Sequence, residues 1–104
     1  MIQPDHFPDD PLGHVLNQLG HGLIGAGVMA LLPLSLWSVL GVAVAYFVLI
    51  EVPQIRSKNT RRVRWDSVED ALHVTMGALL VLTGDYVAAL AWLAILGFGA
   101  WKRT

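Results

Sequence analysis

The chain has 104 residues, a formal net charge of −1, 55% hydrophobic residues and only 14% charged residues. Soluble domains average about 25% charged residues, and the mean hydropathy here is +0.56. The chain has no cysteine, which excludes a disulfide-stapled domain, a thiolate metal site and a cysteine nucleophile. The charge balance indicates no nucleic-acid partner, and the composition predicts a single all-α domain embedded in the lipid bilayer.

Four apolar stretches predict four short transmembrane helices, over residues 13–32, 35–52, 66–83 and 86–101. Each lies near the lower end of the about 17 to 25 residues that cross a hydrocarbon core of about 30 Å. The connections around Leu34 and around Gly84 leave room only for tight turns, so the helices pair as two antiparallel hairpins. They form one domain, residues 13–104, which follows a proline- and aspartate-rich segment, residues 1–12, predicted to be a flexible acidic arm.

The distribution of basic residues predicts the orientation of these helices. All seven Lys and Arg residues lie either in the predicted central loop, residues 53–65, or after the last helix. With four spans, these segments and the amino terminus share one side of the membrane, whereas three spans would divide the basic residues between two sides. The positive-inside rule makes that side the cytoplasm, so the predicted topology is N-in/C-in with a basic cytoplasmic loop.

One polar pattern occurs twice, in the first and the third predicted helices. Each residue of the second copy lies 52 positions after its counterpart in the first, with spacing i, i+3, i+4, i+7, which places each set on one helical face. A Gly-Ala pair repeats at the same offset. This pattern predicts two parallel copies of a helical hairpin, with both polar faces in the cytoplasmic half of the membrane. The first set is His14, Asn17, Gln18 and His21, and the second is Asp66, Glu69, Asp70 and His73.

Ionisable groups inside a membrane span cost about 2.5 to 3.5 kcal/mol each on insertion scales and face a partner or a cavity. We therefore expect a polar pocket at the level where the second helix also brings its polar residues. Three residues nearer the helix ends, His14, Asp66 and Glu69, are expected to be solvated at the interface. An alternative is that the deeper groups form inter-helix hydrogen bonds that only hold the bundle together. The predicted pocket consists of Asn17, His21, Glu51, Gln54, Asp70 and His73.

Several ligands suit these residues. Two histidines with carboxylates suit a divalent cation such as Zn²⁺, Mn²⁺ or Fe²⁺, although the spacing matches no specific metal motif and fixes no cofactor. A histidine beside a carboxylate also suits a general base or a proton relay, but no catalytic residue is identified. Four arginines suit a phosphate or an anionic phospholipid, or else act only as a topology signal. These are Arg56, Arg61, Arg62 and Arg64.

Residues 46–80 resemble the carboxyl-terminal signature of VanZ-like membrane proteins. In that family a helix ending in Y-x4-E-x2-Q precedes an arginine-containing loop and a helix with D-x6-G-A. An earlier D-K-x-x-H helix is matched by Asn17, Gln18 and His21, of which only the histidine is identical, and Val74 stands where an asparagine is expected. The resemblance implies a multi-pass protein of the bacterial inner membrane with an envelope-related role, and it supplies no reaction. The matching residues are Tyr46, Glu51, Gln54, Arg56, Asp70, Gly77 and Ala78.

Three functions follow from the sequence. The first is a small membrane protein with a cytoplasmic-leaflet pocket that binds a lipid head group, a phosphate or a cation. The second is a phage-type holin or another membrane-lesion protein, a homo-oligomer, indicated by the short chain, small-residue helix faces and basic tail. The third is a structural membrane subunit that uses its polar layer for assembly.

Overall fold

The computed structural model describes residues 10–104, without the side chain of Arg62, and these residues form an all-α fold that contains no strand. The predicted fold class, all-α, is confirmed. Of the predicted acidic arm, residues 1–12, positions 1–9 lie outside the described residues. Positions 11 and 12 belong to the first helix. The helices are α1 (Pro11–Met29), α2 (Leu36–Tyr46), a π-turn (Phe47–Glu51), α3 (Val52–Ser57), α4 (Arg61–Thr83) and α5 (Tyr86–Lys102).

Side-chain caps set where the main helices begin. Asp10 accepts a hydrogen bond from the backbone N–H three residues later at 3.0 Å, and Ser35 and Thr60 do the same at 3.2 Å each. Asp85 caps α5 at 3.1 Å, directly after Gly84, whose φ of 61° ends α4. Such caps satisfy backbone donors that have no partner within the helix, and glycine adopts the left-handed conformation without a Cβ penalty.

The second predicted helix does not end at Pro53. Residues Leu36–Ser57 form one continuous helix, which widens just before the proline, where the N–H of Val52 donates to the carbonyl of Phe47. Proline has no N–H and its ring clashes with the carbonyl four residues earlier, so a wider turn accommodates it without ending the helix. Glu51, the last residue of the π-turn, is fully buried.

The central basic segment is mostly helical, which differs from the predicted loop over residues 53–65. Only residues 58–60 connect α3 to α4. Arg56 lies on α3, whereas Arg61 and Arg64 lie in the first turns of α4, and all three side chains are exposed. Arginine and lysine are good helix formers and Thr60 supplies a cap, so a basic composition does not exclude a helix here.

Polar residues fill much of the interior while large apolar residues cover the outside. Leu31, Trp37 and Tyr86 are 86%, 81% and 85% exposed, whereas His21 and His73 are buried. This distribution is the reverse of the one found in soluble proteins. By length and composition, one helix among the described residues is able to cross a membrane, Leu36–Ser57, and Tyr86–Lys102 is a shorter apolar helix.

Helices α1 and α4 approach each other at glycines. A Cβ atom on Gly25 would lie 1.9 Å from the carbonyl oxygen of Val74, and one on Gly77 would lie 1.9 Å from the carbonyl oxygen of Gly22. The two contacts are equivalent, because a shift of 52 residues relates Gly25 to Gly77 and Gly22 to Val74. The two backbones therefore touch at equivalent heights, which only the absence of side chains permits.

The other helix contacts follow the same symmetry. The side-chain amide of Gln18 donates to Asp70 Oδ1 at 2.9 Å, and these two residues also lie 52 positions apart. Helix α2 packs more extensively on α4 than on α1, and α5 packs more extensively on α1 than on α4. This is the arrangement expected of two similar hairpins in which the second helix of each packs on the first helix of the other.

Replacing Gly25 by alanine is expected to destabilise the fold, because the new methyl group overlaps the backbone of α4. Overpacking of this kind costs about 1 to 3 kcal/mol. Gly27→Ala is the matched control, since a Cβ on Gly27 has nothing within 4 Å and alanine favours the helix. Thermal unfolding of both variants under identical conditions should show a loss of stability for Gly25→Ala alone. Equal melting temperatures would contradict the close approach.

Candidate functional site

One nitrogen ligand and two carboxylates meet in the interior. His21 comes from α1, Glu51 from the π-turn and Asp70 from α4, and one ligand atom of each lies within 4.8 Å of the others. Their exposed fractions are 2%, 0% and 3%. Three separate elements therefore converge on one enclosed point, and the donor set suits a divalent transition metal. We call these three residues the acidic cluster.

A hydrogen bond at Nδ1, the ring nitrogen that does not face Asp70, orients the His21 side chain as a ligand. Its Nδ1 lies 2.9 Å from the backbone carbonyl oxygen of Asn17. A carbonyl only accepts, so Nδ1 carries a hydrogen, and in the neutral ring Nε2 presents its lone pair, 3.6 Å from Asp70 Oδ2. Histidine ligands in metal sites are held in the same way, by donating the other ring N–H to a carbonyl or a carboxylate.

Each carboxylate of the acidic cluster uses one oxygen and leaves the other facing the cluster. Asp70 accepts from Gln18 through Oδ1, and Glu51 accepts from the hydroxyl of Tyr46 through Oε2. Within the described residues, Asp70 Oδ2, Glu51 Oε1 and His21 Nε2 have no hydrogen-bond partner. A buried polar group without a partner costs about 1 to 3 kcal/mol. Two facing carboxylates need a positive charge between them, either a cation or a proton.

Tyr46 joins the acidic cluster through the π-turn. Its hydroxyl donates to Glu51, five residues later, and its ring lies edge-on to the His21 ring at 6.0 Å. In a regular α-helix, residues five apart point in different directions, whereas a π-turn places them on one side. Sequence analysis included Tyr46 only as part of a motif. The signal for its role was the five-residue spacing followed by Pro53.

His73, which sequence analysis assigned to the same pocket, lies in a second, basic cluster. Its Nδ1 accepts a hydrogen bond from the indole N–H of Trp92 at 2.9 Å, and the ring of His14 stands edge-on at 6.3 Å. Arg103 is buried nearby and donates to the carbonyl of Gly99 at 2.9 Å. His14 packs on the same glycine, where a Cβ would lie 2.4 Å from its Nε2. We call His14, His73 and Arg103 the basic cluster.

The remaining residues of the predicted pocket contribute less directly. Asn17 is half-buried and supplies its backbone carbonyl to His21, and Gln54 is buried on α3. Arg61 and Arg64 line a shallow surface groove with Trp65. The predicted phosphate contacts at Arg56, Arg61 and Arg64 are thus surface residues, and the side chain of Arg62 lies outside the described part of the chain.

Two of the three residues expected to be solvated at the helix ends are buried instead. His14 is 2% exposed and Asp66 is 6% exposed. The expectation was wrong for both, because α1 and α4 pack along their polar faces and the end of α5 covers His14. Glu69 does reach the surface, where its carboxylate lies 3.7 Å from the ammonium of Lys102.

No known protein family, curated protein or solved structure matches the chain.

His21 and His73, which correspond under the 52-residue offset, are expected to hold opposite tautomers. The carbonyl of Asn17 places the hydrogen of His21 on Nδ1, whereas the indole N–H of Trp92 places that of His73 on Nε2. Nitrogen-15 NMR of the histidine side chains, at a pH where both rings are neutral, distinguishes these states. Trp92→Phe should release His73 from its preference and leave His21 unchanged. The same tautomer at both positions would contradict the assignment.

Proposed function

We propose that this protein is a small multi-pass membrane protein whose acidic cluster binds a divalent cation. The observation that carries the proposal is the convergence of His21, Glu51 and Asp70 within 4.8 Å, all buried, with a ligand atom of each left facing the others. A cation between the two carboxylates offsets the cost of burying their charge. Three protein ligands leave one tetrahedral position for water or a ligand oxygen, as in the zinc sites that bind substrates.

The reversed distribution of polar and apolar residues supports a location in the membrane. The four helical units α1, Leu36–Ser57, α4 and α5 have 19, 22, 23 and 17 residues, lengths that suit short spans. Helix α4 has fewer apolar residues than the others because its first turns carry exposed arginines, Arg61 and Arg64, and because Asp66, Asp70 and His73 lie buried on its inner side. We therefore propose four spans in the bacterial inner membrane, with the α3–α4 connection on the cytoplasmic side.

The VanZ-like resemblance agrees with this site. The tyrosine, glutamate and aspartate of the resembling segment, together with the histidine of the earlier helix, are Tyr46, Glu51, Asp70 and His21. Residues that are far apart in the sequence motif meet in the acidic cluster or, for Tyr46, donate to it. We therefore propose a VanZ-like protein in which the motif residues build a cation site, with an envelope-related role.

Metal binding tests the proposed site. The full chain, purified in mild detergent and stripped with a chelator, should take up one Zn²⁺ or Mn²⁺ per chain, measured by isothermal titration and by metal analysis. Glu51→Gln should weaken binding by about tenfold or more, because loss of one ligand charge removes at least about 1.4 kcal/mol.

The matched control is Glu69→Gln, which neutralises a carboxylate on the surface of α4 and outside the acidic cluster. It should bind the cation as the wild type does. A folded wild-type protein that takes up no cation, or equal losses in the two variants, would overturn the cation site. Absence of binding would favour the structural subunit, whereas abrupt lysis on expression would favour the lesion-forming protein.

The topology is testable by cysteine labelling, because the chain has no cysteine of its own. Leu34→Cys and Tyr86→Cys lie at exposed positions in the two turns proposed to face the periplasm, and Lys58→Cys lies in the proposed cytoplasmic connection. In intact cells, a membrane-impermeant maleimide should label the first two variants only. Labelling of all three to the same extent, or of Lys58→Cys alone, would contradict the four-span arrangement.

A further inference from the structure

Each carboxylate of the acidic cluster has one oxygen held by a donor that is itself buried. The side-chain amide of Gln18 donates to Asp70 Oδ1 at 2.9 Å, and the hydroxyl of Tyr46 donates to Glu51 Oε2. Gln18 and Tyr46 are 3% and 7% exposed. Water therefore has little access to these two hydrogen bonds, and each carboxylate has a single oxygen left to bind a cation.

The two donors reach the acidic cluster by different routes. Gln18 lies on α1, so its hydrogen bond to Asp70 depends on the packing of α1 against α4. Tyr46 lies on the same continuous helix as Glu51, and the π-turn brings the two to one side of that helix. The third ligand, His21, has its Nδ1 hydrogen-bonded to a backbone carbonyl. All three ligands are thus restricted to one atom each.

The number of available ligand atoms distinguishes among cations. Ca²⁺ takes about six to eight oxygen ligands and often binds a carboxylate through both oxygens, and Mn²⁺ favours octahedral sites of about six oxygens. Zn²⁺ is bound tetrahedrally by about four ligands, which include histidine nitrogen and carboxylate oxygen. Because the three ligand residues are buried, few waters have room to complete a six-coordinate shell. The acidic cluster therefore suits a four-coordinate ion.

We propose that Gln18 and Tyr46 set the cation preference of the acidic cluster, favouring four-coordinate Zn²⁺ over Mn²⁺ by holding each carboxylate to one-oxygen coordination. This inference rests on the proposed cation site and names the ion that it takes. Gln18 and Tyr46 are positioning residues, since they act on the ion through Asp70 and Glu51. Sites of nitrogen and oxygen ligands generally bind Zn²⁺ more tightly than Mn²⁺, so the test follows how this preference changes when a donor is removed.

The test compares the dissociation constants of Zn²⁺ and Mn²⁺ for the full chain in mild detergent, measured by isothermal titration at one pH. Tyr46→Phe removes only the hydroxyl, which makes both oxygens of Glu51 available to a cation. Zn²⁺ binding should weaken about tenfold, as is usual when a hydrogen bond to a metal ligand is lost. Mn²⁺ binding should be retained, because a second carboxylate oxygen adds a ligand that this ion uses. The preference for Zn²⁺ should therefore fall about tenfold.

Tyr86→Phe is the matched control, because it removes the same hydroxyl from the other tyrosine of the chain, which is 85% exposed. Both dissociation constants should stay at their wild-type values. A purely structural role of Tyr46 would weaken the binding of both ions alike. An unchanged ratio of the two constants in Tyr46→Phe would therefore overturn the proposal.

Cobalt spectroscopy reports the coordination number directly. Co²⁺ substitutes for Zn²⁺ and absorbs visible light more strongly in a tetrahedral site than in an octahedral one. The wild type should give the strong absorption of a four-coordinate ion, and Tyr46→Phe a weaker one. An octahedral spectrum in the wild type would overturn this proposal and leave the cation site in place. A wild type that binds neither ion would overturn both, so the two failures are distinguishable.

Tyr46→Phe is checked for folding by its melting temperature. If it does not fold, Gln18→Met takes its place, because methionine removes the amide donor, keeps the length of the side chain and frees Asp70 Oδ1. The same fall in the preference for Zn²⁺ is expected. A folded Gln18→Met variant with the wild-type preference would overturn the proposal.

Discussion

The backbone contact between α1 and α4 is the constraint on which the rest of the molecule depends. Packed helices normally lie about 8 to 10 Å apart, but Gly22, Gly25 and Gly77 carry no side chain to hold these two apart. At this separation Gln18 reaches Asp70 directly, and the polar faces of both helices are closed off from the surroundings. Helices α2 and α5 then complete the two sides of this central pair, which divides the polar interior into two clusters.

The π-turn determines the chemistry of the acidic side. Glu51 and Tyr46 would diverge in a regular α-helix, and Pro53 is what makes the regular helix unfavourable at this point. The helix continues to Ser57 because a widened turn needs no break in the chain. A backbone irregularity caused by one proline thus delivers a carboxylate, already hydrogen-bonded by Tyr46, to a histidine and an aspartate on other helices.

The main helices and the inward position of Glu51 and Asp70 were predictable from the sequence, because apolar runs and the spacing of polar residues indicate which face of a helix is buried. The separation of His21 from His73 was not. The pair formed by α1 and α4 has two opposite sides, and a polar residue can face either of them. Which side it faces depends on how each helix is rotated about its own axis. The backbone contacts at Gly25 and Gly77 fix that rotation. Arg103 could also have been identified from the sequence as a candidate buried residue, because it lies 52 residues after Glu51.

The opposite charges of the two clusters have an electrostatic reason. A strict repeat of the acidic cluster would bury four carboxylates in one layer of low dielectric, and each buried charge without a partner carries a large desolvation cost. In this chain Arg103 and Gln18 stand at the positions that correspond to Glu51 and Asp70 under the 52-residue offset, so the two carboxylates of the acidic cluster are not repeated. The hydrogen bond from Gln18 to Asp70 joins the two sides directly, because the amide of Gln18 donates and the carboxylate of Asp70, its counterpart under the offset, accepts. The difference between the two polar faces is therefore what allows them to remain buried against each other.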